Sequence, residues 1–131
     1  MYRILLLLAA AVLLSGCESA PIKEMQQWFK GIFQGYKGDP DLAAGIKSYE
    51  NGNYRESAKQ LQSALNAGLN SAGQVQAHKY LAFIHCVSGR QGPCREEFRK
   101  ALTVDPNFEL EPAEAGHPFW GPVFVKEKAR R

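Results

Sequence analysis

YENGNYRESAKQLQSAL, residues 49–65, and CVSGRQGPCREEFRKAL, residues 86–102, superpose without a gap. The alignment sets Gly52 on Gly89, Ser57 on Cys94, Leu61 on Phe98 and Ala64-Leu65 on Ala101-Leu102. In each copy a glycine turn leads into apolar residues at steps of three and four, the spacing of one helical face. Self-similarity at a period of about 34 residues marks a helical repeat, so an all-α fold is expected; extra residues before Gln74 set these two copies somewhat farther apart than one such period. Lys37-Gly38-Asp39-Pro40-Asp41 reads as a breaker cluster that also starts a helix, with proline at an early position and aspartate at the cap.

Gly52-Asn53-Tyr54, followed by Ala58, Leu61 and Ala64-Leu65, resembles the second helix of a tetratricopeptide repeat. Tyr80-Leu81-Ala82 leading to His85, then Phe98, Ala101-Leu102 and Asp105-Pro106, resembles a second repeat more fully. The likeness places TPR-like repeats at 40–107. Small side chains at Ala82 and Cys94 let two antiparallel helices approach, Leu81, Phe98 and Leu102 fill the space between, and Asp105-Pro106 stops the second helix. The first copy departs from the pattern: Ser57 stands where alanine is usual, and Ala67-Gly68-Leu69-Asn70 replaces the Asp-Pro stop. In such arrays the first helix of each repeat lines a concave groove. Carried over, that implies a partner-binding groove of Leu42, Ile46 and Tyr49 from one repeat and Lys79, Tyr80, Phe83 and Val87 from the next. It would hold a peptide or a partner helix. The alternative is that Tyr80 and Phe83 only pack against flanking segments.

Two repeats rarely close a core, since each leaves an apolar face for a neighbour. Residues 22–36 carry Ile22, Met25, Trp28, Phe29, Ile32, Phe33 and Tyr36 at helical spacing. This amphipathic helix is expected either to pack on the domain or to lie on a bilayer. Residues 108–131 are expected to cover the other end of the array. Pro112 suits the start of a short helix and Gly116 its end, while Phe119, Trp120, Val123 and Phe124 supply bulk. The closing KEKARR reads as a solvated basic tail.

Residues 1–16 begin with Arg3 and an apolar run from Ile4 to Leu14, too short for a spanning helix and right for a secretory signal. Leu14-Ser15-Gly16-Cys17 resembles the lipobox of bacterial lipoproteins. That resemblance implies cleavage before Cys17, diacylglycerol on its thiol and acylation of the new amine, with 17–21 as a lipidated tether. More than one acyl chain makes anchoring stable, at about 0.8 kcal/mol per buried methylene. Glu18, in place of the aspartate that signals inner-membrane retention, implies the outer membrane, facing the periplasm.

Cys86 and Cys94 remain after processing. A helical hairpin would bring them together, and an oxidising compartment permits a bridge across SGRQGP; two buried thiols are the alternative. Eight positions apart, they are no redox CxxC and no zinc set. His78 and His85 could share a face but lack a completing ligand, so no metal is expected. His117 reads as a turn residue. Glu96-Glu97 and Glu111/Glu114 read as exposed helix carboxylates, with no nucleophile or phosphate loop beside them, and no enzyme is expected. The formal charge of +3 is slight, which argues against nucleic acid. No small-molecule substrate and no cofactor are expected beyond the lipid on Cys17.

Lipobox, short array, the Cys86–Cys94 spacing and PAEAGHPFWGPVF together resemble the type VI secretion-associated lipoproteins of the TssQ type. This resemblance implies an accessory scaffold touching membrane-complex components of an envelope secretion machine. A general scaffold for outer-membrane, pilus or cell-wall assembly stays open beside it.

Overall fold

The computed structural model describes residues 35–131. The expected signal peptide, Cys17 with its tether, and the 22–36 helix up to Gln34 lie outside the described residues. Among the described residues every regular element is a helix: α1 Asp39–Glu50, α2 Tyr54–Ala67, α3 Ser71–Val87, α4 Gln91–Val104, α5 Pro112–Ala115 and α6 Gly121–Ala129.

Helices α1 and α2 form one antiparallel hairpin, and α3 and α4 another. Their turns are built alike. Gly52 (φ 76°) and Gly89 (φ 73°) occupy the left-handed region that only glycine enters freely. Around them the N–H of Asn53 donates to the Ser48 carbonyl at 2.8 Å, and that of Arg90 to the His85 carbonyl at 2.9 Å. Such bonds satisfy carbonyls that the helix end leaves unpaired. The start signals are equally local. Pro40 sits in the first turn of α1 with Asp39 and Asp41 near its positive end. The Asn70 side chain caps α3 by accepting from the Gly73 N–H at 2.7 Å. Asp105, extended, ends α4 before Pro106.

Close approach inside each hairpin rests on small residues in the same register. Where α1 crosses α2, a Cβ on Gly45 would lie 2.8 Å from the Leu61 side chain. Ser57, fully buried opposite, donates its hydroxyl to the Gly45 carbonyl at 2.7 Å. The matching positions of the second hairpin are Ala82 and Cys94, both fully buried. Leu61, Ala64, Leu81 and Ile84 join α2 to α3 in one apolar cluster. A second cluster gathers Phe83, Phe98 and Leu102 with Phe108, Trp120 and Phe124. Each large side chain buried there contributes about 1.5–3 kcal/mol.

The segment after α4 differs in two ways from what the sequence suggests. Phe119 was expected to add bulk to the core but is 58% exposed. Helical hydrogen bonding already begins upstream, with the Gly121 N–H donating to the His117 carbonyl at 2.9 Å. Trp120 and Phe124, four apart, therefore take the inner face and turn Phe119 outward. Nor is the basic end a free tail. Lys126–Ala129 belong to α6, Glu127 is 3% exposed beneath Arg99 and Arg130, and Arg131 donates to the Arg99 carbonyl and to Thr103. No described helix is long and apolar enough to cross a membrane.

Candidate functional site

A row of aromatic rings runs from the start of α2 across α1 and α3 to the segment between α5 and α6. Tyr54 and Tyr49 have centroids 5.3 Å apart, Tyr49 and Tyr80 5.0 Å, and Tyr80 and Phe83 5.8 Å. Phe83 then stacks on Trp120 at 4.2 Å, and the other face of Trp120 stacks on His117 at 3.3 Å. Tyr49 projects from α1 and Tyr80 from α3, so the row crosses the junction of the hairpins. Burial changes sharply along it. Phe83 and Trp120 are enclosed, Tyr49 and Tyr80 are half-buried, and Tyr54 is 39% exposed.

The enclosed half belongs to the polypeptide's own C-terminal segment. Lys79 is 4% exposed, and its ammonium meets Glu114 at 2.7 Å while lying 4.8 Å from the Tyr80 ring centroid. Glu114 does double duty, since its other oxygen accepts from the Glu111 N–H in the capping box of α5. The Trp120 indole N–H donates to the Glu114 carbonyl at 2.9 Å. Desolvation would make either Lys79 or Trp120 costly to bury without these partners. Of the expected groove, then, Lys79 and Phe83 are covered. Leu42, Ile46, Tyr49, Tyr80 and Val87 stay partly exposed. Tyr54, which sequence reasoning placed only in a turn motif, joins them at the open end.

Electrostatics keep the Tyr49 and Tyr80 phenols neutral. Burial, with Tyr54, Tyr80 and Glu114 nearby, pushes the Tyr49 hydroxyl up to about 12. Burial and the Glu114 and Glu50 carboxylates also raise Tyr80. Both phenols stay protonated at ordinary pH, each with an apolar ring and a polar tip. That chemistry suits protein recognition, where tyrosine brings large contact area at low entropy cost.

Away from this face, Cys86 and Cys94 have sulfurs at disulfide distance and Cα atoms 5.1 Å apart across the α3–α4 turn. His78 and Glu97 meet at 2.7 Å, and Lys100 donates to the other Glu97 oxygen at 2.7 Å. Glu97 is thus 7% exposed and paired, where an exposed helix carboxylate was expected. Burial alone would raise its pKa, but hydrogen bonds from His78 and Lys100 outweigh that and hold it low. His85 is shifted down by burial and by Arg90, and its Nδ1 is buried with no partner among the described residues. No three His, Cys, Asp or Glu among the described residues converge as metal ligands would.

Compared with known proteins, the chain matches no family model, no curated protein and no solved structure at a significant level.

Proposed function

We propose that this chain is a lipid-anchored, non-catalytic interaction module of the bacterial envelope. In this view it is held by Cys17 at the outer membrane facing the periplasm, and its helices form a short TPR-like array. The observation that carries the proposal is the half-open aromatic row at Tyr49, Tyr54 and Tyr80, set on the first hairpin and the first helix of the next. The equivalent turns at Gly52 and Gly89, and the equivalent small crossings at Gly45/Ser57 and Ala82/Cys94, favour the repeat assignment. The α5–α6 segment serves as the array's C-terminal cap through Trp120 and Phe124.

The partner proposed is an envelope protein, with a membrane-complex component of a type VI-like secretion machine as the first candidate. A general assembly scaffold is the second. An anchor raises the effective concentration of a weak binder near such machinery. Recovery of crosslinked partners from envelope membranes, compared between the wild type and a Tyr54→Ser/Tyr80→Ser variant, tests the face. The variant should lose most partner recovery while keeping its helical circular dichroism at the temperature of the assay, although loss of the half-buried Tyr80 ring lowers its melting point. Equal recovery would remove the tyrosine face from the function. The identity of the recovered proteins decides between secretion-machine and general-assembly partners.

A further inference from the structure

The outer surface of α6 has no role in the aromatic row, yet it combines two features that soluble surfaces usually keep apart. One is apolar exposure. Phe119 is 58% exposed and Val125 64%, and Pro122 lies exposed between them. At 100° per residue, Phe119, Pro122, Val125, Lys126 and Ala129 fall on one side of the helix, opposite the buried Trp120, Phe124 and Glu127. The other feature is charge. The segment from Gly121 through Arg131 carries four Lys and Arg side chains against one side-chain carboxylate, and of these Lys126 and Arg130 fall on the Phe119–Val125 side. That carboxylate, Glu127, is buried. The surface that solvent meets is therefore cationic, with apolar side chains standing out of it.

Structural pairing explains only part of this charge. Arg99 pairs with Glu96 at 2.6 Å and more distantly with Glu127, Arg130 also pairs with Glu127, and Lys128 pairs with Glu109. Arg131 ties α6 to α4 through the Arg99 carbonyl and Thr103. Lys126 points outward beside Val125. A helix face with exposed aromatic and aliphatic groups amid cations matches the boundary between lipid headgroups and acyl chains. There the cations meet phosphates and the apolar groups reach the acyl region.

We propose that this face, centred on Phe119, Val125 and Lys126, rests on an anionic phospholipid surface. It would thereby orient the domain on the membrane and turn the tyrosine row toward partners; this rests on the anchored state proposed above. Charge complementarity selects the lipid, since each cation near an anionic bilayer strengthens contact about fivefold.

The test uses the full chain with its native membrane attachment, reconstituted into phosphatidylcholine vesicles with or without phosphatidylglycerol. A nitroxide at Val125→Cys reports exposure to a water-soluble relaxation agent, and one at Asn51→Cys serves as the reference. The expected result is shielding at 125 but not at 51, only with phosphatidylglycerol, and reversed by high salt. Lys126→Gln should lower the shielded-to-open ratio about fivefold. Equal exposure at 125 in both lipids would overturn the proposal. So would shielding found only in native envelope membranes, because a protein would then be the cover. Flotation of the same samples separates the two ideas. A chain that floats only with phosphatidylglycerol contradicts the anchor and upholds this face. A chain that floats with both lipids while 125 stays open does the reverse, and one that floats with neither overturns both.

Discussion

Trp120 lies stacked on Phe83, with ring centroids 4.2 Å apart and planes 20° apart. One residue comes from the middle of the second hairpin, the other from the segment that follows that hairpin. Their contact makes the C-terminal segment part of the domain's core, through Trp120 and Phe124, and it also decides which half of the aromatic row stays open.

Removing that stack should be expensive. Trp120→Ala deletes a buried indole and its hydrogen bond to Glu114, for an expected loss of about 3–5 kcal/mol in urea unfolding. A loss below about 1 kcal/mol would mean that the C-terminal segment is not integral to the core.

How much of this was legible beforehand depended on the range of the interaction. The turns at Gly52 and Gly89, the Asn70 and Pro112 starts and the Asp105-Pro106 stop are all local chemistry, readable from neighbouring residues. The covering of Lys79 and Phe83 was not, because Glu114 is 35 positions from Lys79 and its short helix has no periodicity to reveal its inner face. Phe119 misled for a related reason. Four bulky residues between 119 and 124 all look like core, and only the helical phase set by the His117–Gly121 bond tells them apart. Glu97 looked solvated because the partner that buries it, His78, comes from the preceding helix.

The Lys79–Glu114 pair supplies a second prediction. Glu114→Gln leaves a nearly buried ammonium without its counter-charge and should cost roughly 1–3 kcal/mol. Adding Lys79→Met removes the stranded charge and should recover much of that loss. Chemical denaturation of both variants checks it; a double variant no more stable than the single one would count against the pair.

Stability should fall on acidification, in two stages. His85, held below its ordinary value of 6.5, stays neutral in the fold, while the unfolded chain takes up a proton there. Glu97, held below 4.5, behaves likewise at lower pH. In both cases the unfolded state binds more protons, so the contribution is complete above the unfolded value and is lost as pH falls through the folded one. Urea midpoints should be level above about pH 7.5 and decline below 6.5. His85→Phe should flatten the upper stage and leave the lower one.

Reduction of the Cys86–Cys94 pair should lower stability without unfolding the hairpin, by roughly 2–3 kcal/mol for so short a loop. Matched thermal melts with and without reductant measure it. Identical melts would mean that the two sulfurs are not bridged in the protein as isolated.

The proposed role as an envelope interaction module depends on the attachment proposed at Cys17. Intact-mass measurement of the chain isolated from its native membrane tests that most directly. Residues 1–16 should be gone, with a diacylglyceryl group on the Cys17 thiol and an acyl group on its amine. A chain that retains residues 1–16, or one that starts at Cys17 without lipid, would contradict it.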